Sequence, residues 1–174
     1  MVRRPRTAVR VVGPWDWIGW PTLAVVAASI AFATPVRLFG LHLPEPVFAL
    51  PLAFAWPLIR PSLVAPAVLL VLGLFLDLLW HAPLGLWALS LLLVYGLILF
   101  TRLLILGQDT PTLFAWYVGG TVLAFTFAYL FVMLDVKAAP SLIGVGLQVF
   151  ATLLLFPFAN HLVQRFDDGD VRFR

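Results

Sequence analysis

The amino-acid sequence predicts an all-α membrane protein that crosses the bilayer about six times. Of its 174 residues, 63% are hydrophobic and only 11% are charged, and the mean hydropathy is +1.05. Soluble domains are about half apolar and about a quarter charged. Long apolar runs recur from about residue 17 to residue 163, so the excess does not come from a single anchor. These observations exclude a soluble globular protein.

Six apolar segments approach the length of about 20 residues that a membrane-spanning helix needs. They cover residues 17–35, 43–59, 61–80, 83–101, 112–134 and 141–163. The second segment is short and contains Pro51 and Pro57, which predicts a helix that is kinked, tilted or partly re-entrant. Pro66 and Pro157 are predicted to kink the third and sixth segments. The chain therefore divides into a basic N-terminal segment (1–16), a six-helix transmembrane domain (17–163) and a tail (164–174).

The basic residues predict the orientation. Nine of the 11 arginines and lysines fall on one side of the predicted bilayer, and only Arg37 and Lys137 fall on the other. The positive-inside rule then places both termini in the cytoplasm. This topology also explains the high isoelectric point, and there is no basic patch with interleaved aromatics, so we expect no nucleic-acid partner. All seven tryptophans lie near predicted membrane interfaces, as in an aromatic belt.

The sequence offers no constellation for catalysis. The absence of cysteine excludes disulfides, thiolate metal sites and cysteine nucleophiles. The three histidines, His42, His81 and His161, have no metal-binding spacing. No serine lies in a nucleophile-elbow motif. We therefore expect no enzymatic activity, no catalytic residue, no metal and no cofactor.

Asp77 is the acidic residue predicted to lie within a span, where an ionisable group costs up to about 3 kcal/mol. Three roles are open: a polar contact to a partner helix, a proton or cation site, or a carboxylate that is solvated or caps the turn after it. Gln148, in the sixth segment, is similarly open to a hydrogen bond within the bundle or with a partner.

One stretch, residues 73–89, carries a resemblance to a known family. It fits the pattern G-x-x-x-D-L-x-x-x-x-x-L-G-x-x-x-L at Gly73, Asp77, Leu78, Leu84, Gly85 and Leu89. This pattern resembles the signature of the MreD family of rod-shape-determining proteins. The chain length, the number of predicted spans and a Phe-Pro-Phe sequence in the last span are also similar to that family.

The resemblance implies a non-enzymatic component of the bacterial cell-elongation machinery in the inner membrane. Such a protein scaffolds or regulates peptidoglycan synthesis with the bitopic protein MreC and, indirectly, the MreB filament and the RodA–transpeptidase synthase. It also implies a fold like the substrate-binding subunits of energy-coupling-factor transporters, with the six motif residues as candidate partner contacts. The alternative is a subunit that binds a vitamin-like small molecule for transport, which requires a polar pocket.

Overall fold

The computed structural model describes residues 10–13, 15–33, 37–38, 41–42, 45–136, 141–167 and 171–173. Within them the chain is a helical bundle, and a π-helical turn, Trp15–Gly19, leads into its first α-helix. The α-helices are α1 (Trp20–Phe32), α2 (Leu50–Ile59), α3 (Val64–Leu79), α4 (Leu86–Ile105), α5 (Thr110–Val136), α6 (Leu142–Leu153) and α7 (Phe156–Asp167). Four short strands are β1 (Arg10–Val12), β2 (Arg37–Leu38), β3 (Leu41–His42) and β4 (Val171–Phe173).

In the described part of the chain, three helical stretches are long and apolar enough to cross a membrane: Leu86–Ile105, Thr110–Asp135 and Leu142–Phe166. The shortest has 20 residues, and at about 1.5 Å per residue it matches a hydrocarbon core of about 30 Å. These stretches confirm the prediction of a helical, membrane-type protein. The number of crossings and their orientation stay predictions.

Helix α2 differs from the predicted second span. The prediction covered residues 43–59, but the helix begins only at Leu50, after a non-helical lead-in over residues 45–49. Its 10 residues extend about 15 Å, which is half of a bilayer core. Residues 50–58 are all buried, so protein rather than lipid surrounds this helix. Pro51 lies in the first turn, where a missing N–H group costs little.

Pro57 lies inside α2, whereas Pro66 and Pro157 lie at helix ends. Pro66 lies in the first turn of α3, so the helix begins there and the predicted kink is wrong. In the sixth span, α6 ends at Leu153 and α7 begins at Phe156, immediately before Pro157. A proline lacks the N–H group and clashes with the carbonyl of the residue four positions earlier, which is Leu153 here. The helix is therefore interrupted beside Pro157, at the place where a kink was predicted.

Hydrogen bonds between helix ends define one end of the bundle, which we call the basic end. Arg102, at the end of α4, donates to the carbonyl of Leu58 at the end of α2 (3.4 Å). The indole of Trp56 donates to the carbonyl of Trp17 (3.0 Å), which brings the start of the first span to the same end. Strands β1 and β4 pair in parallel, so the segments before α1 and after α7 also lie together. The α3–α4 turn lies at the opposite end.

Candidate functional site

The predicted motif folds into a single α3–α4 hairpin around Asp77. This side chain is fully buried. Its Oδ2 accepts a hydrogen bond from the N–H of Gly85, and its Oδ1 accepts one from the N–H of Trp87, both at 2.8 Å. The first turn of any helix has N–H groups without helical partners, and here a carboxylate from the preceding helix satisfies them. Of the three roles predicted for Asp77, the geometry matches the capping role. The turn that Asp77 caps is the first turn of α4.

Two glycines of the motif make this capped hairpin possible. A Cβ atom on Gly73 would lie 2.8 Å from the carbonyl carbon of Trp87 and closer still to the backbone of Ala88. The backbones of α3 and α4 are therefore in contact at this point. Gly85 has a φ of 95°, a left-handed conformation that L side chains rarely adopt. Both positions require glycine for physical reasons.

The three leucines of the motif lie on the outside of the hairpin. The exposed fractions are 67% for Leu78, 68% for Leu84 and 46% for Leu89. Their exposure leaves them accessible to lipid or to another membrane protein. The predicted partner contact can therefore involve the leucines directly, whereas Asp77, Gly73 and Gly85 shape the hairpin that carries them.

A cavity of about 750 Å³ opens beside this hairpin, between the α3–α4 turn, α5, α6 and the lead-in to α2. Three aromatic rings form one of its walls in edge-to-face pairs. Trp80 packs against Trp87 with ring centroids 5.6 Å apart, and Trp87 packs against Phe125 at 5.4 Å. Polar residues also line it, among them Glu45, Gln148 and His81.

Helix α6 holds the lead-in to α2 in place through buried polar contacts. The Gln148 amide donates to the carbonyl of Glu45 (2.9 Å), and the Thr152 hydroxyl accepts from the N–H of Val47 (3.1 Å). Tyr117 of α5 donates to the carbonyl of Thr152 (3.0 Å). Non-helical backbone at membrane depth needs such partners. Of the two roles predicted for Gln148, the structure displays the hydrogen bond within the bundle.

Glu45 is the functional candidate that the sequence analysis missed. Its carboxyl group is partly buried and lies beside the indole of Trp80. Among the described residues, Glu45 Oε2 and Trp80 Nε1 have no hydrogen-bond partner of acceptable geometry. The available signal was a glutamate between two prolines, Pro44 and Pro46, at the start of an otherwise apolar segment.

Residues with metal-binding side chains do not cluster in the described part of the chain, where no three of His, Asp or Glu come together. His81 lies at the α3–α4 turn, while His161 lies on α7, the helix that ends at the basic end. The side chain of His42 lies outside the described residues. The expectation of a protein without catalytic residues, metal or cofactor remains a prediction.

Comparison with known proteins does not assign the chain to a family. No family model, no curated protein and no solved structure matches the chain. The resemblance to the MreD family therefore depends on the motif and the helical organisation.

Proposed function

We propose that this chain is a non-enzymatic, multi-pass component of the bacterial inner membrane that supports cell elongation in the manner of the MreD family. In this proposal it crosses the membrane six times with both termini in the cytoplasm. It binds an MreC-like bitopic protein directly and acts through it on MreB and the RodA–transpeptidase synthase. Whether it scaffolds or regulates the synthase, it works by helix contacts rather than by chemistry.

The observation that supports the proposal most strongly is that three residues of the motif have separate structural roles in the same hairpin. Gly73, Asp77 and Gly85 each meet a separate requirement of the same hairpin: helix contact, helix capping and a left-handed turn. A chance match in a leucine-rich helix has no reason to place residues of these types at positions that need them. The shared pattern is thus the sequence of a defined structural unit.

The exposed side of that unit supports a contact role. Leu78, Leu84 and Leu89 project from the hairpin, away from its capped interior. In a bilayer, apolar side chains gain little by leaving lipid, so association depends on close packing and shape. A rigid hairpin with fixed leucines offers such a shape to a single-span partner helix.

The experiment is affinity purification of the tagged protein from its native membrane in mild detergent, followed by mass spectrometry and cell-shape imaging. Alanine at Leu78, Leu84 and Leu89 together is expected to reduce recovery of a bitopic coiled-coil protein and to round the cells. The matched control is alanine at three exposed leucines near the basic end, Leu99, Leu103 and Leu104. Equal recovery from both triple variants, with normal cell shape, would contradict the proposal.

The cavity favours a second candidate function, a substrate-binding subunit for a vitamin-like molecule. Its aromatic and polar lining supplies the pocket that the sequence alone did not predict. Purification of an ATPase module together with the chain, in place of an MreC-like protein, would favour this alternative.

A further inference from the structure

The cavity beside the α3–α4 hairpin has the composition of a ligand site. Its volume of about 750 Å³ lies within the range of about 300–1,000 Å³ that small-molecule pockets occupy. Empty cavities left by imperfect packing are apolar. Here, by contrast, the polar residues Glu45, Gln148 and His81 line the same space.

Two polar atoms of this lining are incompletely satisfied. Glu45 Oε2 and Trp80 Nε1 are buried beside each other, but in the described part of the chain neither makes a hydrogen bond of acceptable geometry. Buried polar groups in folded proteins nearly always have a hydrogen-bond partner. Both residues line the cavity, so a molecule bound there lies against this incompletely satisfied pair.

The charge and the aromatic wall define what kind of molecule fits. Glu45 supplies a carboxylate, and none of the described lining residues is a lysine or an arginine. The edge-to-face rings of Trp80, Trp87 and Phe125 stand in the same lining. The faces of aromatic rings attract cations, and indole does so most strongly. A carboxylate beside an aromatic wall is complementary to a positive group on an apolar body.

We propose that this cavity binds an organic cation, a compact amine or quaternary ammonium group, held between the Glu45 carboxylate and the Trp80–Trp87 aromatic wall. The positive charge of the ligand offsets the cost of keeping a half-buried carboxylate ionised. This proposal is independent of the cell-elongation role, because ligand binding is measured on the purified chain without any protein partner.

The test compares two probes of nearly equal shape, choline and its neutral carbon isostere dimethylbutanol. The full chain is purified in dodecyl maltoside, an uncharged detergent, and binding is measured by titration calorimetry. We expect choline to bind at least about tenfold more tightly, as the loss of one favourable charge contact predicts. Equal affinity for the two probes, or no binding of choline, would overturn the proposal.

Two variants test whether the ligand binds beside Glu45. Glu45→Gln is expected to lower the choline affinity about tenfold while leaving dimethylbutanol binding unchanged. It preserves the Glu45 carbonyl that Gln148 holds, and circular dichroism verifies the fold. The control is Asp135→Asn, which removes an exposed carboxylate of α5 that does not line the cavity. Unchanged choline binding by Glu45→Gln, or an equal loss in Asp135→Asn, would contradict the assignment.

Discussion

Removal of the Asp77 carboxylate is predicted to destabilise the α3–α4 hairpin. Asp77→Ala leaves the N–H groups of Gly85 and Trp87 without the acceptors that now lie 2.8 Å away. The Asp77 side chain and its hydrogen bond to Trp87 are buried, so water cannot replace both oxygens. Loss of a helix cap costs about 0.5–2 kcal/mol, and each buried group left without a partner costs about 1–3 kcal/mol. We therefore expect a loss of about 2–4 kcal/mol in the free energy of unfolding.

Asp77→Asn separates the hydrogen bonds from the shape of the side chain. An amide has one oxygen acceptor and presents an NH₂ donor in place of the second oxygen. The variant retains one of the two bonds, so its expected loss is about half of that in Asp77→Ala, roughly 1–2 kcal/mol. The expected order of stability is wild type, then Asp77→Asn, then Asp77→Ala.

The assay is reversible unfolding in mixed micelles, with dodecyl sulfate as the denaturant and circular dichroism as the readout. Asp135→Asn is the control, because Asp135 is an exposed carboxylate near the end of α5. A surface change of this type is expected to alter stability by less than about 0.5 kcal/mol. If Asp77→Ala falls within the same range as the control, Asp77 does not cap α4 and the account of the hairpin is wrong.

Two further substitutions test the packing, each against a matched control in the same unfolding assay. Gly73→Ala places a methyl group against the α4 backbone and is expected to cost about 1–3 kcal/mol or more. Gly119→Ala, where nothing lies within 4 Å, is expected to be neutral or slightly stabilising, and equal effects at the two positions would refute close α3–α4 contact. Thr152→Val leaves the Val47 N–H group without its acceptor and is expected to cost about 1–3 kcal/mol. Thr101→Val loses only a bond to a carbonyl of its own helix, so a comparable loss there would show that the lead-in is not held by α6.

The part of the fold that depends on composition was predictable from the sequence. Runs of apolar residues as long as a bilayer is thick identify α4, α5 and the α6–α7 pair, because a single segment in lipid satisfies its own backbone hydrogen bonds only as a helix. Helix α2 was not predictable in the same way. Lipid-facing and protein-facing side chains are both apolar in a membrane, so hydropathy does not distinguish a short helix enclosed by protein from a full span.

The tryptophans show the same limit of prediction from sequence. They lie near the ends of helices, as predicted, but only some occupy an exposed position. Trp15 and Trp20 are exposed, as an interfacial belt requires, whereas Trp17, Trp56 and Trp87 are buried. Trp56 instead donates to the backbone of Trp17 and lies in the core. Residue type therefore did not predict the direction in which these side chains point, and their position at the membrane interfaces stays a prediction.

The candidate site, too, was only partly predictable from the sequence. The motif was visible in the sequence because its residues lie within 17 consecutive positions, 73–89. The cavity was not visible, because it joins the lead-in to α2 with α6, and Gln148 contacts a residue 103 positions away. Such a site depends on how the helices pack, which local patterns do not encode.

We expect a membrane-embedded bundle whose basic end faces the cytoplasm and whose α3–α4 turn faces the other side. The chain contains no cysteine, so single cysteines report topology without background. Leu84→Cys lies at the α3–α4 turn and Gln108→Cys lies between α4 and α5, both at exposed positions. In intact spheroplasts, a membrane-impermeant maleimide is expected to label the cysteine at position 84, and to label the cysteine at position 108 only after lysis. Labelling of both positions before lysis, or the reverse pattern, would contradict the account.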